Sequence, residues 1–170
     1  MSRATRAMVC VDACAPCHHK EPKKACGECH ALQKTLYEGG TLDGLAVPKD
    51  LMADAGASCP DCHLDKDKKV VRPDGGACVA CHDEKYRATF AEWRDDVRGR
   101  VERIRTALHA LYKGTLTDAD KAVIGEVEKA LETVGFDGSS GVHNYMFIED
   151  YLTKTEAKLG SLSSRKDGRE

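Results

Sequence analysis

Cys59-Pro60-Asp61-Cys62-His63 is one of four copies of a single pattern in this chain. The others are Cys14-Ala15-Pro16-Cys17-His18, Cys26-Gly27-Glu28-Cys29-His30 and Cys78-Val79-Ala80-Cys81-His82. These pentapeptides hold eight of the nine cysteines in 170 residues, and each reads C-x-x-C-H. Cysteines paired at this spacing serve zinc, iron–sulfur clusters or covalent porphyrin attachment. A zinc ribbon needs two C-x-x-C pairs and no His after either. Iron–sulfur clusters use thiolates without a paired His. Here every pair carries that His although His fills only 7 of 170 positions. By chance this has a probability of ~3 × 10⁻⁶, so the imidazole belongs to the signature. A disulfide framework would not repeat one pentapeptide. The remaining chemistry is c-type haem: two thiols add to the two vinyl groups on one porphyrin edge, and the following His becomes the iron's proximal ligand. The expectation is four haem c groups with their iron, held by Cys14 and Cys17, Cys26 and Cys29, Cys59 and Cys62, and Cys78 and Cys81. Their proximal ligands are His18, His30, His63 and His82.

The rest of the composition agrees with a fold that needs a cofactor. Only 5% of residues are aromatic and 32% are charged, so the side chains offer a thin core for this length. Residues 1–83 contain all the cysteines and five of the seven His, few large aliphatics, and much Gly, Pro, Asp and Lys. Such a segment is expected to pack on its porphyrins. Between the second and third motifs, Tyr37-Glu38-Gly39-Gly40 reads as a turn and Pro48 forbids a long helix. Leu64 to Arg72 carries Lys66, Lys68, Lys69 and Arg72, a solvated loop or a partner-docking patch. A formal net charge of −2 removes the general electrostatic case for nucleic acid. No stretch reaches the roughly 18 apolar residues of a membrane span.

The second half changes character. Tyr86, Phe90, Trp93, Val97, Val101, Ile104, Leu108 and Leu111 fall at spacings of three and four, one helical stripe that Gly114 ends. Thr117-x-x-Asp120 starts a second helix with Val123, Val127, Ala130, Leu131 and Val134 on one face. Gly135, Gly138 and Gly141 break the chain before a third helix from about Val142 to Leu159. The fold class expected is mainly α with much irregular coil: a haem-packed segment over 1–83, a helical hairpin or three-helix layer over 84–160 supplying distal ligands, and a flexible polar tail over 161–170.

Four haems need eight axial positions, and seven His leave one short. Three remain for the distal sides: His19, His109 and His143. His19 adjoins His18, so its side chain diverges toward a neighbouring iron or toward solvent beside Lys20. His143 opens the third helix, where Val142, Tyr145, Met146, Phe147, Ile148 and Tyr151 are apolar nearly all round, the mark of a turn buried on every side. His109 lies roughly 130° from its helix's apolar stripe, the profile of a solvent-facing residue unless a haem packs there. The last distal position falls to Met8, Met52, Met146, a Lys or an open site. Cys10 fits no attachment pair and reads as a spare thiol.

On these motifs the chain resembles a tetrahaem member of the multihaem cytochromes c. C-x-x-C-H-H resembles cytochromes in which the second His ligates another haem, which would be His19 here. Gly141-Val142-His143-Asn144 is similar to a distal-ligand segment of multihaem cytochromes related to nitrite reductases. The C-x-x-C-K variant that carries catalysis in that group does not occur in this chain. The resemblance implies electron transfer by a periplasmic or extracytoplasmic carrier or a subunit of a respiratory complex. Its partners would be redox proteins, a membrane oxidoreductase among them. An enzyme reducing or oxidising a small molecule at an open haem, and a filament in which one subunit completes the next subunit's haem, are the alternatives. Met1 to Cys10 has Arg3 and Arg6 but no apolar run of about 7–15 residues, so no export signal is visible there.

Overall fold

The computed structural model describes residues 25–167. Cys10, Cys14, Cys17, His18, His19 and Met8 lie outside the described residues. Among the described residues, eight helices and one two-stranded hairpin follow in the order α1 (Cys26–Cys29), α2 (Ala31–Glu38), β1 (Gly40–Leu42), β2 (Leu45–Val47), α3 (Leu51–Asp54), α4 (Cys59–His63), α5 (Gly75–Cys78), α6 (Lys85–Leu111), α7 (Asp118–Asp137) and α8 (Tyr145–Asp167). The fold is mainly α, as the periodicities require. Among the described residues no helix is long and apolar enough to cross a membrane.

The frame is the layer of α6, α7 and α8, in which α8 packs against both others. The stripe on α6 buries Phe90, Val97, Ile104, Leu108 and Leu111. On α7 the Thr117 hydroxyl accepts from Asp120 N (3.2 Å) and the Asp120 carboxylate from Thr117 N (3.0 Å), satisfying two of the helix's orphan donors. Gly138, at φ 71°, ends that helix in the left-handed conformation that costs glycine least. Helix α8 departs from expectation at both ends. It starts at Tyr145 rather than near Val142, and it runs past Leu159 to Asp167. The reason is periodic: Leu152, Thr155, Leu159 and Leu162 continue one buried face, and Leu162 is 1% exposed. Met146 is 67% exposed, so the first turn of α8 is not covered all round.

Arg100 is buried between α6 and α8 with its charge fully answered. It donates to both oxygens of Glu156 (3.0 and 2.7 Å), to Thr153 Oγ1 (2.7 Å) and to Glu149 O (3.1 Å). A bidentate pair of this kind fixes register as well as charge.

The motif-bearing segment is anchored on this layer by protein contacts. Leu36 of α2 and Val47 of β2 belong to the same buried cluster as the long helices. Gln33 Nε2 donates to Phe136 O (2.9 Å) and Asp137 O (3.3 Å), covering carbonyls that the end of α7 leaves unpaired. The hairpin turn is Asp43-Gly44 with φ 52° and 78°, positive at both residues as the favoured two-residue turn demands. Asp43 then accepts from Lys129 Nζ (2.6 Å) on α7 and Tyr151 Oη (2.7 Å) on α8. These donors hold its carboxyl below the usual range. Two ends of the 31–58 link thus come together: Asp50 N donates to Tyr37 O (3.0 Å) and Tyr37 Oη to Ala57 O (3.0 Å).

Candidate haem-binding site

The second and third motifs each lie on a single helical turn, α1 and α4, and the fourth continues as a turn from Cys78, the last residue of α5; the turns explain the spacing. His30 N donates to Cys26 O and His82 N to Cys78 O, both at 2.9 Å, while His63 ends α4 four residues after Cys59. Positions i, i+3 and i+4 share one face of such a turn, so both sulfurs and the imidazole come from the same side. Residues inside the motifs start these turns. Glu28 Oε1 accepts from Ala25 N (3.1 Å), and Asp61 Oδ2 accepts from Ser58 N (2.7 Å) and Ser58 Oγ (2.6 Å). Those donors lower the Asp61 carboxyl. The fourth motif begins where α5 ends, and α5 itself is capped by Asp74, which accepts from Gly76 N (2.7 Å).

None of the six described cysteines is in a disulfide. Burial pushes the thiols of Cys59, Cys62 and Cys78 up, which keeps them protonated. Among the described residues, no group of three or more His, Cys, Asp or Glu side chains converges as a zinc ribbon would require.

The third motif lies between the other two. Cys59 is within electrostatic reach of Cys26, and Cys62 within reach of Cys78 and Cys81. Cys26 and Cys59 line one cavity of about 720 Å³, together with Tyr37, Lys34 and Lys49. That volume lies in the range of small-molecule and cofactor pockets, roughly 300–1,000 Å³. The 31–58 link therefore does not hold the second and third motifs apart. Its folded hairpin brings them face to face.

His63 also meets His143, eighty positions away in the chain. Their ring centroids are 6.0 Å apart with the ring planes at 29°. Burial, followed by the nearby charge of His143, lowers the His63 pKa. The Nδ1 atoms of both rings are engaged, His63 by a long contact to Val71 O (3.4 Å) and His143 by Asp137 Oδ1 (2.6 Å). Among the described residues neither Nε2 has a hydrogen-bond partner. Metal-bound imidazoles show this same division between a ligating nitrogen and an anchored one. Two imidazoles on one iron, each with a bond of roughly 2 Å and a centroid about 1 Å behind its nitrogen, place their centroids about 6 Å apart. The residues present fit that group.

The Gly141-Val142-His143-Asn144 segment divides its work. A Cβ on Gly141 would lie 2.8 Å from Val97 Cγ2, so the glycine admits α6 rather than a porphyrin. Asn144 caps α8 by accepting from Phe147 N (3.2 Å), and its amide donates to Leu36 O (2.9 Å) and Pro48 O (2.8 Å). His143 stands between them, two residues before the helix. Asp137 and Ser139 lie within the break marked by Gly135, Gly138 and Gly141; an acidic residue closing the helix six positions before the His is the signal that marks them.

His30 and His82 are exposed, and His82 stacks on Tyr86 at 4.2 Å between centroids. His109 is exposed too, in a surface groove with Glu102, Arg105, Thr106 and Lys113 that no described motif residue lines. Met52 is half-buried on α3. Beside the histidine pair, Val70 and Val71 are 41% and 36% exposed, apolar surface of the kind a cofactor covers.

The crystal structure of the outer cell wall cytochrome OcwA is similar to this chain, with a TM-score of 0.60 and 28% sequence identity. The likeness covers 75% of this chain and 29% of that one, so the chain spans under a third of that cytochrome's length. No protein-family model and no curated protein sequence matches the chain. That structure is of a cytochrome, a likeness that agrees with the C-x-x-C-H motifs of this chain.

Proposed function

We propose that this chain conducts electrons through four covalently attached haems, as an extracytoplasmic carrier or a subunit of a respiratory redox complex rather than as an enzyme. The observation that carries the reading is the approach of His143 to His63 at 6.0 Å, inside a motif flanked by two others. Bound at these positions, each haem supplies a one-electron iron couple.

The chain does the rest. Cys26 and Cys29, Cys59 and Cys62, and Cys78 and Cys81 fix three attachment points on short helical turns, and Cys14 and Cys17 supply the fourth. His18, His30, His63 and His82 are the proximal ligands. His143 serves the third motif as distal ligand, closing both faces of that site to small molecules. His19 and His109 remain candidates for other distal positions. The third motif links its neighbours because Cys59 shares a cavity with Cys26 and Cys62 lies within electrostatic reach of Cys78. Redox proteins outside the cytoplasmic membrane are the partners; the location agrees with the cell-wall cytochrome that the chain resembles.

The test is expression behind an export signal in a host that matures c-type cytochromes. Intact mass and the pyridine haemochrome assay should give four haems per chain, and the double change Cys59→Ala with Cys62→Ala should give three with slower reduction by dithionite. A zinc-loaded protein without haem would overturn the reading.

A further inference from the structure

The His63–His143 pair has a carboxylate behind it that its ligand role does not require. Asp137 closes α7 with its side chain fully buried. Its Oδ1 faces His143 Nδ1 at 2.6 Å, and its Oδ2 accepts from Ser139 N (3.2 Å) and from the Ser139 hydroxyl. Both oxygens meet donors, the arrangement an anion makes. The Ser139 hydroxyl also accepts from His143 N (3.2 Å), so one serine braces the carboxylate and the backbone of the imidazole it serves. On the opposite side, the partner of His63 Nδ1 among the described residues is the neutral Val71 carbonyl at 3.4 Å. The two rings therefore differ in what polarises them.

Resting on His143 as the distal ligand of the third motif, we propose that Asp137 is a positioning residue that makes the haem at Cys59 and Cys62 harder to reduce. A carboxylate on Nδ1–H fixes the tautomer with Nε2 free and raises the basicity of that nitrogen. A more basic ligand, and a buried negative charge behind it, favour the ferric iron over the ferrous. Reduction adds one electron from the donor protein, and the carboxylate opposes that added charge. The middle station of the described sequence of motifs thus becomes a step that electrons pass through rather than rest on.

The experiment is a potentiometric titration of the haem-loaded protein, followed by low-temperature EPR so that individual haems are resolved. Asp137→Asn should shift one haem's oxidised-to-reduced equilibrium toward reduced about tenfold, close to 59 mV for one electron. Ser139→Ala frees carboxylate charge for His143 and should move the same haem the opposite way. In a His143→Ala background the part carried through the ligand is gone, so both shifts should shrink. Unchanged potentials in both single variants, with His143→Ala still converting one haem to high spin, would overturn the role of Asp137 alone. Unaltered EPR in His143→Ala would overturn the ligand assignment beneath it. If Asp137→Asn loses a haem, the sign of the Ser139→Ala shift decides, and a shift toward reduced overturns the proposal.

Discussion

Asn144 is the residue through which the helical layer holds the motif-bearing segment, and its removal has a calculable cost. Its amide donates to Leu36 O and Pro48 O, and its carbonyl oxygen accepts from Phe147 N at the start of α8. The side chain is 3% exposed, so water cannot replace these partners in the folded state. Two hydrogen bonds at about 1 kcal/mol each and a helix cap worth about 1 kcal/mol give a loss of roughly 3 kcal/mol for Asn144→Ala. At about 2–4 °C per kcal/mol for a chain of this size, the unfolding midpoint should fall by about 6–12 °C. Far-UV circular dichroism of the haem-loaded protein reads this directly. Asn144→Asp keeps the oxygen that caps α8 but turns a second oxygen toward two carbonyls, so it should fall at least as far. A drop under about 2 °C for either variant would refute the reasoning.

Other outcomes follow from single residues. Burial pushes the Tyr37 phenol from 10.0 up to about 12, and it donates to Ala57 O, so the folded chain holds this proton more tightly than the unfolded chain. Its stabilisation is complete below about pH 10 and lost as pH rises through about 12; Tyr37→Phe should flatten the alkaline limb of a urea-midpoint series, and an unchanged limb counts against it. Asp43 has the opposite sign. Its carboxyl is held low by Lys129 and Tyr151, so its contribution is present above about pH 4 and disappears as pH falls through the lower folded value. Asp43→Asn should remove that acid dependence. Gly141→Ala sets a Cβ 2.8 Å from Val97 at φ 90° and should cost about 1–3 kcal/mol in urea unfolding.

What could be read in advance divides by range along the chain. The stripe from Tyr86 to Leu111 and the Thr117–Asp120 cap are local, set by spacing and hydrogen-bonding chemistry, and α6 and α7 lie where those signals put them. Asp43-Gly44 was an equally local signal that went unread, and with it the hairpin that closes the 31–58 link. The pairing of His63 with His143 was not legible, because sequence spacing says nothing about a partner eighty residues away. Nor were the amide bonds of Asn144, whose partners are backbone carbonyls that leave no trace in side-chain identity. Asp137 is intermediate: its acidity and its place before Gly138 are in the sequence, but only the left-handed turn at Gly138 brings it back onto His143.

The most direct test of the account is low-temperature EPR of the oxidised protein, quantified against total haem, with His143→Ala beside the parent. The account predicts that the variant retains four haems while one low-spin signal gives way to one high-spin signal. The same low-spin signals in both proteins would show that His143 ligates no iron, and would contradict the central claim.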